Sequence, residues 1–324
     1  METSPTATWF QSEEAYECFL SCSAWLTPFL VQVRRGGRLV GSVAGYVTKE
    51  SCAVKQHFTA RAVIFGGPLL SDDITETELA TLLADVTKET GKRNAIYSEM
   101  RNFHDYSKWR SGFEQAGWSY VPHYDIYIDC RDKEAMVNRI HESKLRAVRK
   151  AQAEGQVLSE ATTEQQVRDW YRQLKTLYKT RVHRPLWPVE FFLSVWRGGY
   201  AKLLILQCSN PPAQHTAHIT HHTSHSGLSA EGGIFCVKDS NTLYEWYICG
   251  QTMVTYGALE YAADHGLEKF DLMGAGEPGV PYGVRDFKMQ FGGCLHEFGR
   301  FRLIHKPLLY RLGKRIVALS SCLT

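Results

Sequence analysis

No stretch of the chain approaches the ~20 apolar residues that a membrane-spanning helix needs, so the sequence excludes a helical span. The opening residues, METSPTATWFQSEEAYECF, lack the basic segment and apolar run of a secretory signal. The nine cysteines are odd in number and without paired short spacings, which argues against a disulfide framework. Their tightest pair, Cys18 and Cys22, has helical spacing and reads as core rather than as metal ligands. A reducing, cytoplasmic setting is expected. Net charge is also scarce. At +3 for the whole chain, it gives no argument for DNA, and an anionic partner must be held by local patches.

Familiar reaction motifs are missing too. There is no GxSxG turn of the serine hydrolases and no GxxxxGK[ST] phosphate loop. GAGEPG follows a strand-like segment, as phosphate loops do, but Pro278 and Pro281 block a long helix directly after it. A dinucleotide site is therefore not expected. The run QHTAHITHHTSHS, residues 214–226, holds five histidines but no carboxylate. Its Thr, Ser and Ile content suits a polar, exposed excursion, and no metal site is expected.

What is present is an ordinary globular composition, 44% hydrophobic and 22% charged, over 324 residues, enough for two domains. Residues 29–48 alternate apolar and polar around RGGR, a β-hairpin pattern. RAVIFGG reads as a strand, and residues 76–90 as a helix with Leu79, Leu82, Leu83 and Val86 on one face and Gly91 as its stop. NAIYSEM is then a strand, YSKWRSGFEQAGW a short helix and YDIYIDC another strand.

The second half repeats this order. AKLLILQC is a strand and EGGIFCVKDSNTLYEWYICG a hairpin. Residues 252–264 form a helix closed by Gly266, KFDLM a strand, VRDFKMQFGG a short helix or turn, and RFRLI a final strand. Gly91 and Gly266 are 175 residues apart, Phe113 and Phe287 174, and Gly117 and Gly292 175. Two copies of one mixed α/β unit follow from this spacing.

The expected boundaries are 1–135 and 136–324, the second domain beginning with a basic helix over about 136–155. On that helix Leu145, Val148 and Ala151 share a face, while Lys144, Arg146, Arg149 and Lys150 lie elsewhere. Such a helix can track phosphates or simply present a solvated face whose cations suit the helix dipole. At the other end, about 306–320, Leu308, Leu309, Leu312, Ile316, Val317 and Leu319 fall largely on one side of a helix, with Arg311, Lys314 and Arg315 adding charge. A helix docked on the second domain is expected, with at most weak, salt-sensitive association with anionic membrane surfaces.

The segment DLMGAGEPGVPYGVRDFKMQFGG, residues 271–293, carries the candidate site. Gly274 and Gly276 let backbone approach a ligand closely, and Tyr282 and Arg285 join them as candidate substrate-binding residues. Lys288 lies among Phe287, Met289 and Phe291. A lysine there either sits in a partly desolvated cleft, where its charge acts more strongly than in water, or snorkels at the surface. Tyr247 and Tyr282 are candidates to position an acceptor, and Glu245 and Asp286 to take a proton.

FDLMGAGEPG…YGVRDFKMQFGG resembles the closing motif of the FemABX family, which attaches amino acids to peptidoglycan precursors, and of related GNAT-superfamily proteins. SKLRAVRKAQAEG, LYKTRVHRPLWPVEFF, the hairpin at 231–250 and RFRLIHKPLLYRLGK resemble further family segments, so the likeness covers about 140–315 well. It implies an α/β fold of two tandem GNAT-like domains, with mixed sheets flanked by helices. It implies transfer of an acyl or aminoacyl group to an amine of a cell-envelope precursor, peptidoglycan or surface polysaccharide. The donor substrate would be aminoacyl-tRNA, with tRNA then a partner, or acyl-CoA, and no cofactor would be tightly bound. The resemblance makes Lys288, preceded by Phe287, the cation that stabilises the developing oxyanion, and Arg181 the holder of a substrate phosphate. The chain has no long heptad-bearing insertion of the kind some members use for tRNA. Two alternatives stay open: an acyl-CoA-dependent GNAT N-acetyltransferase acting on an amino sugar or other small amine, and a non-catalytic polyanion-binding module on a transferase scaffold.

Overall fold

The computed structural model describes residues 6–50, 53–208, 232–250 and 252–322. The histidine-rich run at 214–226 lies outside the described residues. In chain order the first half forms α1 (Glu13–Ser21), β1 (Leu26–Arg35), β2 (Arg38–Thr48), α2 (Ala53–Thr59), β3 (Arg61–Gly66), β4 (Leu69–Leu70), α3 (Glu76–Lys92), β5 (Tyr97–Asn102), α4 (Arg110–Gln115), β6 (Ser119–Val121) and β7 (Tyr124–Asp129). It continues with α5 (Lys133–Asn138), α6 (Glu142–Ala153), β8 (Gln156–Glu160), α7 (Glu164–Leu177), α8 (Val189–Arg197), β9 (Lys202–Cys208), β10 (Gly233–Lys238) and β11 (Thr242–Cys249). Then come α9 (Thr252–Asp264), β12 (Lys269–Gly274), α10 (Gly283–Met289), β13 (Cys294–Glu297), β14 (Arg300–Ile304) and α11 (Pro307–Cys322).

The chain divides into two compact units. Unit 1 holds Met1–Ile126, Gly274–Tyr282 and Leu295–Thr324; unit 2 holds Tyr127–Met273 and Gly283–Cys294. Both are discontinuous in sequence, whereas the sequence reading divides the chain once, after residue 135. The difference lies in the last strand of each half. β14 joins the first sheet, whose order is β1-β2-β3-β5-β14-β6, and α11 goes with it into unit 1. β7, the last strand of the first half, joins the second sheet, whose order is β13-β7-β12-β11-β10-β9-β8.

In unit 1, Gly36 and Gly37 turn the β1–β2 hairpin with φ of 54° and 87°, a region open to glycine because it has no Cβ. β3 and β5 run parallel, which demands a crossover, and α3 supplies it. Thr75 and Glu78 cap that helix reciprocally. Leu79, Leu82, Leu83 and Val86 are its buried face, as their spacing predicts. The helix does not stop at Gly91, however. It runs to Lys92, and Asn94 takes the left-handed conformation at φ 60°. Phe301 of β14 stacks on Phe113 of α4 at 3.9 Å in the core.

Unit 2 repeats the crossover, with β11 and β12 parallel and α9 between them. Gly257 on α9 leaves room for Leu158 of β8; a Cβ at 257 would come within 2.6 Å of the Leu158 Cβ. On the opposite face, Trp170 of α7 stacks on Phe235 of β10 at 5.6 Å, and Phe192 of α8 meets both edge-on. The expected basic helix is two helices, α5 and α6, and Val148 is the buried residue of α6.

Candidate functional site

The parallel register of β11 and β12 pairs Thr242 with Lys269, Leu243 with Phe270 and Tyr244 with Asp271. Among the described residues this pairing ends there, so the next residues of the two strands, Glu245 and Leu272, stand where the strands cease to be laced together. Lys288 of α10 is anchored at this point. Its Nζ lies 3.1 Å from Glu245 Oε1 and donates to the Leu272 carbonyl. The side chain is 9% exposed and that of Glu245 8%. Lys288 is thus a buried cation, and the snorkelling alternative is excluded.

A buried lysine needs compensation, since desolvating an unpaired charge costs several kcal/mol. Glu245 supplies it, and Asp271 stands by. Burial pushes the Glu245 carboxyl up, with Lys288 pulling it back. Burial also holds Asp271 well above the usual carboxylate range, at about 6, opposed by the Met273 N–H, Lys269 and Lys288 and assisted by Glu245. Asp271 Oδ1 accepts from Met273 N at 2.7 Å, and Met273 adopts φ 58°, unusual for a side chain of this kind.

Phe287 lies half-buried beside this cluster. Its ring meets Phe291 edge-on at 5.2 Å, and Lys144 Nζ of α6 sits 4.2 Å from its centroid. Burial holds the Lys144 ammonium below its ordinary pKa. A cation over an aromatic face gains about 0.5–2 kcal/mol. The closing Gly-Gly is fitted to the α5–α6 junction: His141 N donates to the Gln290 carbonyl at 2.9 Å, and Gly292 at φ 76° abuts Arg139.

The other candidates separate. Tyr247 and Glu245 are two apart on β11 and would normally share a face. A bulge breaks the register: Tyr247 pairs with Phe235 and Glu245 with Cys236, neighbours that point to opposite faces. Tyr247 therefore packs edge-on against Phe192 at 5.0 Å. Arg181 is exposed in the π-helical turn Tyr178–Val182 that follows α7. Arg285 is half-buried and Asp286 exposed on α10. Gly274, Gly276 and Tyr282 belong to unit 1. A Cβ on Gly276, at φ 83°, would strike the Tyr282 ring at 2.9 Å, and one on Gly274 would meet His123 at 3.1 Å. The close approach at both glycines is by the protein's own side chains.

Sequence reasoning brings Lys288, Phe287 and Glu245 to one place but misses Asp271 and Lys144. Asp271 had a signal: a carboxylate inside KFDLM, between Phe270 and Leu272, in a strand too apolar to be an exposed edge. Lys144 had none, because its partner ring lies 143 positions away.

No protein-family model matches the chain, nor does any curated protein. Solved structures do. FemX matches with TM-score 0.67 at 12% identity, covering 96% of each chain. L-PGS from Bacillus licheniformis matches with TM-score 0.55 at 9% identity, covering 95% of this chain and 96% of that one. A tandem GNAT protein from the clavulanic acid biosynthesis pathway, in a structure without AcCoA, matches with TM-score 0.53 at 11% identity, over 86% and 83%. The repeated crossover and these likenesses agree: the chain has a tandem GNAT-like fold, like that of the tandem GNAT protein, with two units that are each a mixed sheet flanked by helices.

Proposed function

We propose that the protein is an acyltransferase that moves an acyl or aminoacyl group from an activated donor to an amine. The observation that carries this is the buried Lys288–Glu245 pair at the point where β11 and β12 cease to pair. An amine attacking an ester or thioester carbonyl forms a tetrahedral oxyanion. A fixed cation in a site shielded from water stabilises that charge far more than one in solvent. Lys288 is such a cation, held in place by Glu245 and the Leu272 carbonyl. The attacking amine must also lose a proton. Asp271, held at about 6, has a proton affinity suited to that exchange near neutral pH.

The fold likeness to FemX and L-PGS supports an aminoacyl donor, and the likeness to a tandem GNAT protein an acyl-CoA. We favour an amine-bearing cell-envelope precursor as acceptor and a cytoplasmic enzyme whose contact with anionic membrane surfaces is weak and salt-sensitive. No helix among the described residues is long and apolar enough to cross a membrane. Thermal shift with CoA, acyl-CoA and charged tRNA identifies the donor class, because a ligand that prefers the folded state raises its stability. With that donor, Lys288→Met is expected to lower turnover at least about tenfold while acceptor binding changes little. Unchanged turnover removes Lys288 from the mechanism.

A further inference from the structure

One face of the unit 1 sheet carries Tyr46, Val63 and Phe65, packed under Phe10 and Phe19, and beside them a buried acid, Glu99. Glu99 of β5 has a side chain only 7% exposed. It accepts from Arg101 Nε at 3.1 Å, from Arg300 Nη1 at 3.1 Å, and from Arg302 Nε and Nη2 at 3.3 and 2.7 Å. The register explains the convergence. Arg302 pairs with Glu99 and Arg300 with Arg101 across β14 and β5, alternating with the core residues Phe301 and Met100. Burial pushes the Glu99 carboxyl up, but Arg101, Arg300 and Arg302 override it and hold it at about 2.

The guanidiniums are fixed in advance. Arg302 Nη1 donates to the Tyr310 hydroxyl at 3.0 Å, and Arg101 lies 5.1 Å from the centroid of the Phe65 ring. A further arginine comes from β3. Arg61 pairs with Tyr97, which places it on the same face, and its Nε is buried with no hydrogen-bond partner among the described residues. Arg61 and Arg101 both act electrostatically on the buried Tyr46 of β2. Even with Arg300 left aside, Arg61, Arg101 and Arg302 are three positive charges against the one of Glu99. The side chains of Arg101 and Arg302 remain 32% and 23% exposed, so solutes reach them.

We infer that this face of unit 1 binds a phosphate-type dianion. Two uncompensated positive charges in a half-buried cluster repel one another, and a carboxylate would cancel only one. A phosphate monoester carries about −1.5 to −2 near neutral pH, which closes the balance. Planar guanidinium forks match its oxygens two at a time. Donors already held by Glu99, Tyr310 and Phe65 lose little freedom on binding. The inference is independent of the transfer reading, because none of these residues lies in unit 2.

The same chemistry is presented by a small soluble phosphate monoester and by a phosphomonoester lipid headgroup. The full-length protein is titrated with phenyl phosphate by calorimetry at constant ionic strength, with chloride as control. In parallel it is sedimented with phosphatidylcholine vesicles with and without phosphatidic acid. Binding in at least one arm is expected, and the arm identifies the source. Arg61→Gln and Arg101→Gln, each checked for folding by circular dichroism, are expected to weaken it at least about tenfold. Arg61→Gln removes a guanidinium whose Nε has no partner among the described residues, so it should fold, and Glu99→Gln, if folded, should bind more tightly. No binding in either arm, or binding that folded Arg61→Gln leaves unchanged, overturns the proposal.

Discussion

Lys288 and Asp271 make opposite demands on the same small volume. The lysine needs a buried negative charge; Glu245 already provides one, so the second carboxylate is surplus. That surplus has a pH signature. Asp271 binds its proton more tightly in the folded protein, at about 6, than its ordinary value of 3.8. Its contribution to stability is therefore full below about pH 3.8 and is lost as pH rises through 6. Asp271→Asn keeps the shape and an acceptor for the Met273 N–H but does not titrate. Its melting temperature relative to the parent should rise between pH 5 and pH 8, by about 2 °C or more. If proton transfer uses this group, turnover of the same variant falls while its stability improves. Thermal melts across this range decide the first point, and a variant that loses ground as pH rises shows that Asp271 is stabilised in its charged form.

At the scale of elements, much was legible because local patterns enforce it. α3 and α9 followed from apolar spacing, the β1–β2 hairpin from alternation around a Gly-Gly turn, and α10 from its motif. The misreadings have physical causes. Gly91 reads as a helix stop, yet nothing there demands a left-handed residue, and Asn94 takes that role three positions later. The bulge that separates Tyr247 from Glu245 leaves no mark in TLYEWYIC, where plain alternation would put both side chains on one face. Gly292, in contrast, was legible and is doubly constrained. It has φ 76°, and a Cβ would lie 2.5 Å from the Arg139 Cβ. Gly279 has a similar φ of 73°, and a Cβ there would meet nothing within 4 Å among the described residues. Gly279→Ala should therefore cost only the backbone strain, about 1 kcal/mol, and Gly292→Ala distinctly more, about 2–3 kcal/mol. Chemical denaturation of the two variants tests the ordering, and equal losses would mean that the α5–α6 junction yields freely to α10.

For the whole molecule, the repeat was legible and the ownership of its last strands was not. Each half ends in a short alternating strand, β7 and β14, and nothing in either sequence names its neighbour. Pairing between residues some 200 positions apart is set by the assembled sheet, not by local preference. Here β14 lies between β5 and β6, with Arg300–Ile304 paired to Tyr97–Arg101 on one side and Arg300–Arg302 to Ser119–Val121 on the other. A protein cut after residue 135 would lose this strand. β5 would become an open edge, β6 would lose its neighbour among the described strands, and Phe113 would lose the stacked Phe301 ring. Open edges invite aggregation, and losing one buried phenylalanine alone costs about 3–5 kcal/mol, a large part of a domain's 5–15 kcal/mol. The fragment 1–135 is therefore expected to show no cooperative melt and to aggregate. Fusing residues 295–324 to it through a flexible linker should restore a cooperative transition, because it returns β14 and α11 to their own unit. Circular dichroism melts of the two fragments make the comparison. A cooperative transition in the short fragment would show that β14 is an accessory to the first sheet, and that the split after residue 135 describes an independent folding unit after all.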